Sequence, residues 1–207
     1  VSYKSNFSDT TLATIGHEIT LRMKTDEDIQ LPTILISNQN AEIIDIESNV
    51  WLGKYIMEEN SPEGVISFQI GEIQDLAGNP SEGTSTTTDG SIVIFDSRPP
   101  ILNIVRIKSN NSDTTWAKVG DSIIIDFKTD EYLIQQSATI LNQNADLSIL
   151  SEIYQAKYLT TDLDIEGPVN FDLTIVDTLG LSSIISETTN SSEVIFDKTL
   201  PILGEVN

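Results

Sequence analysis

Residues 5–27, SNFSDTTLATIGHEITLRMKTDE, return as SNNSDTTWAKVGDSIIIDFKTDE at residues 109–131, so one module of about a hundred residues is written twice. Outward from this pair the match continues with a shrinking offset. Gly16 aligns with Gly120, Phe68 with Phe171, Asp75 with Asp177 and Asp96 with Asp197, and the spacing falls from 104 through 103 and 102 to 101, as successive loop deletions produce. The expected domains are residues 1–98 and 99–204. Pro201-Ile202-Leu203 followed by Val206 repeats Pro100-Ile101-Leu102 followed by Val105, so 205–207 are expected to begin a third copy within a longer tandem array.

Two modules of this size can each bury a core without disulfides, and the 207-residue chain has no cysteine. Thiolate metal sites are therefore excluded. Thirty-two acids against eleven bases give a formal charge of −21, shared evenly between the halves. Such a surface repels nucleic acid and anionic headgroups and attracts cations. No apolar run reaches membrane-spanning length, so this segment is not expected to insert in a bilayer.

Apolar residues alternate with polar ones in short runs bounded by Gly, Pro, Asn, Asp and Ser, the strand period. Strands are expected in the first half near residues 1–5, 18–24, 33–37, 42–46, 50–57, 65–73 and 91–95, about the seven of an immunoglobulin-type sandwich. Ile19, Leu21, Met23, Ile66, Phe68, Ile70 and Phe95 should face one core; Ile123, Ile125, Phe127, Val169, Phe171, Leu173 and Phe196 keep the same parity for a second. Trp51, Tyr55, Tyr154 and Tyr158 read as core or core-rim aromatics. Between the halves, Pro99 and Pro100 stiffen a very short connection, which favours an extended rod. The fold class expected is all-β, two tandem immunoglobulin-like β-sandwich domains in an extended arrangement.

The ordered set SNNSDTTWAKVGDSIIIDF, TDE, EGPVNFDL, an Asp-x-x-Gly turn and VIFDKTLP resembles the tandem immunoglobulin-like repeats of prokaryotic cell-surface proteins, including archaeal surface-layer proteins and large bacterial adhesins. In the first half the turn reads Asp75-Leu76-Ala77-Gly78-Asn79, whereas the second half has Leu181 where Asn79 stands. The resemblance implies an extracellular sandwich that serves as spacer, lattice brick or adhesive tip.

Chemistry based on a nucleophile and imidazole needs a base titrating near neutrality, and the single histidine, His17, is matched by Asp121 in the other copy. No phosphate-cradling loop or paired-His motif is present, so no catalytic residue is assigned and the chain is read as a non-enzyme. Hard cations suit the acidic loops better, because Ca²⁺ takes carboxylate and carbonyl oxygens. In a sandwich of this topology Asp9, Glu58, Glu59, Glu63 and Asp96 gather towards one pole of the first domain. With Asp130, Glu131 and Asp177 of the second they form the candidate interdomain Ca²⁺ set, against the alternative of solvated loop acids and turn caps. Asp162, Asp164 and Glu166, alternating before Gly167, are a weaker candidate. Asn6, Asn110 and Asn190 head N-glycosylation sequons.

The expected role is a structural repeat of an extracellular multidomain prokaryotic surface protein, preferably in surface-layer or envelope assembly, partnered by neighbouring repeats, like subunits and cations. Two rivals are a spacer or ligand-binding arm of an adhesin, with specificity in the variable stretches 47–49 and 80–90, and accessory modules of a secreted enzyme.

Overall fold

The computed structural model describes residues 1–47 and 49–204; the expected start of a third copy at 205–207 lies outside the described residues. The chain divides into two compact units, Val1–Arg98 and Pro99–Asn207. Every regular element among the described residues is a strand.

In the first unit β1 (Ser2–Ser5), β2 (Leu12–Ala13), β3 (Glu18–Lys24), β4 (Ile34–Ile36), β5 (Gln39–Asn40) and β6 (Glu42–Glu47) are followed by β7 (Val50–Ile56), β8 (Gly64–Val65), β9 (Phe68–Ile70), β10 (Ile73–Gln74), β11 (Pro80–Ser81) and β12 (Ile94–Phe95). A four-stranded sheet ordered β1-β3-β7-β6 faces a sheet ordered β5-β4-β9. In the second unit, β13 (Leu102–Ser109), β14 (Trp116–Ala117), β15 (Ser122–Thr129), β16 (Leu133–Ile140), β17 (Gln143–Asn144) and β18 (Asp146–Leu150) precede β19 (Ile153–Leu159), β20 (Gly167–Pro168), β21 (Phe171–Asp177), β22 (Ser182–Ile185) and β23 (Ile195–Phe196). Its sheets run β13-β15-β19-β18 and β17-β16-β21-β22. Both units have the A-B-E-D and C-F arrangement of an immunoglobulin-like sandwich.

Alternation explains the layers. Ile19, Leu21 and Met23 are buried on β3 while the residues between them point outward, and Ile123, Ile125 and Phe127 do the same on β15. The first core also contains Ile34, Ile36, Ile66, Phe68, Ile70 and Phe95; the second contains Ile140, Phe171, Leu173, Ile175 and Phe196, with Val169 half-buried against it. Trp51, Tyr55, Tyr154 and Tyr158 sit at the core rims, Tyr154 stacking on Phe127 at 5.2 Å.

The strands differ from the expected pattern in several places, with β5 and β11 lying where none was expected. The single strand expected at 65–73 is broken into β8, which pairs with β12, β9, which pairs with β4, and β10; after β9 the Gly71 amide donates to Thr33 O and Gly83 presses on the Ile70 carbonyl, where a Cβ would lie 2.0 Å from that oxygen. The last strand is two residues long and pairs parallel with β2, a strand absent from the sequence reading; the second unit repeats this with β23 and β14.

Candidate functional site

Asp9, Glu63 and Asp96 cap loops, and their counterparts Asp113, Glu166 and Asp197 do the same in the second copy. Asp9 accepts the Thr11 amide at 3.0 Å and its hydroxyl at 2.6 Å; Asp113 accepts Thr115 in the same way at 3.0 and 2.7 Å. These bonds favour the charged form, the hydroxyl contributing most, so both carboxyls are held below the ordinary aspartate value.

At the exit of the last strand, Glu63 accepts the Ser97 hydroxyl at 2.6 Å and its amide at 3.3 Å, with the Arg98 guanidinium 3.5 Å away. Glu166 occupies the equivalent position, accepting the Lys198 amide at 2.7 Å and the Thr199 hydroxyl at 2.8 Å. The Thr199 bond, followed by the Lys198 amide, pulls the Glu166 carboxyl below the usual range. Asp96 and Asp197 complete this turn by accepting the amides of Arg98 and Thr199 at 3.0 and 2.9 Å. The structure therefore brings 63 together with 96–98, and 166 with 197–199, within the respective units.

The other candidate acids make separate bonds within their own units. Asp130 closes a reciprocal pair with Ile101, accepting its amide at 3.0 Å and donating its own amide to the Ile101 carbonyl at 3.2 Å. Glu131 donates its amide to the Thr129 hydroxyl. Glu58 donates its amide to the Ser61 hydroxyl, and the Glu58 and Glu59 side chains are exposed. Asp164 is buried, accepting from the Tyr158 hydroxyl at 2.9 Å and the Thr161 amide at 2.6 Å. Burial, then the Asp164 bond, raises the Tyr158 phenol above its ordinary value. The carbonyls of Asp162 and Asp164 both accept the Lys198 ammonium, at 2.9 and 2.8 Å, so an ammonium already serves those oxygens. Among the described residues no group of three or more acid or imidazole side chains is close enough together to hold a metal ion.

The Asp-x-x-Gly turns share one backbone geometry and differ in one side chain. In each, the first residue pairs amide-to-carbonyl with the residue four positions on, and the glycine has positive φ, 89° at Gly78 and 85° at Gly180. Asp75 accepts the Asn79 amide on Oδ1 at 2.7 Å and the Asn79 side-chain amide on Oδ2 at 2.6 Å. Asp177 accepts the Leu179 and Leu181 amides on Oδ1, each at 2.8 Å, while its buried Oδ2 accepts no bond from the described residues. Leu181 cannot supply the missing donor.

His17 is a turn cap. Its Nδ1 accepts the Thr14 amide at 3.0 Å and its ring stacks on Phe7, while Asp121 in the second copy accepts the equivalent Lys118 amide at 2.9 Å. The sequon residues are exposed and also cap: Asn6 Oδ1 accepts the Glu18 amide, Asn110 Oδ1 the Ser122 amide and Asn190 Oδ1 the Ser192 amide. The sequence reading missed the Lys198 bridge, the burial of the candidate Asp164 and the role of Tyr3, whose hydroxyl donates to the Ile66 carbonyl at 3.0 Å. Only the odd position of Tyr3, in phase with buried Ser5, hinted at its burial.

Of the variable stretches, 80–90 carries no aromatic residue, and it borders a groove of about 500 Å³ lined by Leu35, Asn38, Phe68, Ile70 and Thr84. Residue 48 of the other stretch lies outside the described residues.

No protein-family model and no curated protein sequence matches the chain. Among solved structures it is similar to the fibronectin(III)-like modules of Clostridium thermocellum CbhA, with 9% identity, a TM-score of 0.38, and coverage of 99% of this chain and 100% of that one. An I-band fragment of titin matches with 9% identity and a TM-score of 0.46 over 96% of this chain and 66% of that one. The tandem Ig repeats of Dlar match with 6% identity and a TM-score of 0.30 over 91% and 94%.

Proposed function

We propose that this chain is a structural repeat module of an extracellular multidomain prokaryotic surface protein, acting in surface-layer or comparable envelope assembly. The supporting observation is the duplication of the loop chemistry: Asp9, Glu63, Asp75 and Asp96 and their partners Asp113, Glu166, Asp177 and Asp197 hold turns in both units. Carboxylates repeated in this way serve the shape of each module, while the acidic exterior retains cations and keeps the chain soluble. An antibody raised against these residues should label intact, unpermeabilised cells and decorate an ordered array on isolated envelopes. Label confined to the cell interior overturns the reading.

Calcium enters this reading as a proposal. At tenfold excess over its Kd, a bound ion stabilises a module by about 1.4 kcal/mol, so melts with millimolar Ca²⁺ and with excess chelator should separate. Superimposable curves remove calcium from the account. The ligand-binding arm of an adhesin is kept as a second reading by the groove beside Thr84, whose size suits a small ligand. Glycan or peptide binding lost on Asn38→Ala would favour it. For the accessory role, the full-length gene should encode a catalytic domain.

A further inference from the structure

Eight of the chain's eleven basic residues point outward from one sheet in each unit. Lys4 pairs in register with Thr20, Thr20 with Lys54, and Lys54 with Glu42, forming one row across β1, β3, β7 and β6. Arg22 and Lys24 alternate with buried Leu21 and Met23 and lie on the same outer face. The second unit repeats the row as Lys108, Ile124, Lys157 and Asp146 across β13, β15, β19 and β18, with Arg106 and Lys128 beside it. Outside these faces only Arg98, Lys118 and Lys198 are basic, in a chain with 32 acids.

Three of the eight are paired: Lys54 with Glu18 at 2.9 Å, Lys108 with Asp126 at 2.7 Å and Lys128 with Glu152 at 3.2 Å. Lys4, Arg22, Lys24, Arg106 and Lys157 have no carboxylate within ion-pair distance among the described residues, and all five are exposed. Lysines on edge strands guard against unwanted strand pairing, but Arg22 and Lys24 lie on β3 and Lys157 on β19, both central. Edge protection does not account for them. A cationic face on a polyanionic chain is complementary to the rest of that chain.

We infer that this face of the first unit is a docking surface for the exposed acidic turn Asp26-Glu27-Asp28 of a second copy of the chain. That turn is the only run of three consecutive acids in the sequence, and all three residues are exposed. A contact of face to turn is heterologous, so it can propagate from copy to copy into an array. The inference rests on the reading of the chain as an assembling module.

The test is sedimentation velocity of the intact 207-residue chain over a concentration series, at low salt and at about 1 M NaCl, where the Debye length falls to about 3 Å. Reversible association at low salt, abolished at high salt, is expected. The variant Lys4→Gln/Arg22→Gln/Lys24→Gln should associate about tenfold more weakly. The variant Arg98→Gln/Lys118→Gln/Lys198→Gln changes net charge by the same amount and should retain association within about twofold. Neutralising the turn with Asp26→Asn/Glu27→Gln/Asp28→Asn should match the loss from the face. Circular dichroism melts verify that each variant is folded.

Monomeric wild type at every concentration overturns the inference, as does equal weakening by the two basic triples. Salt-sensitive binding of polygalacturonate to the face, with wild type monomeric, also overturns it in favour of an anionic polymer. Surface labelling of cells combined with a monomeric chain refutes this contact while leaving the envelope reading standing.

Discussion

Leu181→Asn should stabilise the second unit, although it replaces an apolar residue by a polar one. The turn backbone at 177–181 matches that at 75–79, so an asparagine at 181 can offer its side-chain amide to Asp177 Oδ2, as Asn79 does to Asp75 Oδ2 at 2.6 Å. Leaving a buried acceptor without a partner costs about 1–3 kcal/mol. Against this, half-buried Leu181 loses about 1 kcal/mol of apolar burial. The expected net gain is about 1 kcal/mol, or about 4–8 °C in melting temperature for a unit of about a hundred residues. Each unit contains one tryptophan, Trp51 or Trp116, so urea unfolding monitored by fluorescence in a Trp51→Phe background follows the second unit alone. The reciprocal Asn79→Leu should weaken the first unit. A lowered or unchanged urea midpoint for Leu181→Asn refutes the argument that the unpartnered oxygen limits this turn.

Gly53→Ala should destabilise the first unit by about 1–3 kcal/mol through overpacking. The added Cβ would approach Ile34 Cγ2 to 2.9 Å and Ala41 Cβ to 3.3 Å, whereas the second unit accommodates Ala156 at the equivalent place; Trp51 fluorescence during urea unfolding checks this. Lys198→Met should release the carbonyls of Asp162 and Asp164, seen as about tenfold faster amide hydrogen exchange across 161–167 with exchange in β15 unchanged. The pH dependence follows from carboxyls held below their ordinary values: Asp9 by Thr11, Asp75 by Asn79, Asp89 by Ser91, Asp113 by Thr115 and Glu166 by Thr199. Because the folded values lie below the unfolded ones, the stabilisation is complete above the ordinary carboxylate range and is lost as pH falls through the lowered values. Urea midpoints should therefore decline below about pH 4. Thr11→Val with Thr115→Val and Thr199→Val should shallow that decline.

The layers were legible because burial on one face imposes period two, and residues such as Ile123, Ile125 and Phe127 declare it without help from neighbours. Loops were not legible in this way. Spacing placed acids at the pole of a sandwich but could not reveal that Thr11, Ser97 and Thr199 donate hydrogen bonds to Asp9, Glu63 and Glu166. The two-residue strand at 12–13 was equally obscure, since so short a strand leaves no periodic trace and exists only through its parallel pairing with Ile94–Phe95, which the alternation near 91–95 did announce. The duplication itself supplies a sharper reading of loop chemistry than either copy alone. Where the copies differ but the bond persists, as His17 and Asp121 each cap the turn that precedes them, the turn is what both sequences maintain. Where the bond fails, as at Leu181, the chain tolerates an unsatisfied oxygen within an otherwise repeated turn, and that position is where stability can be regained.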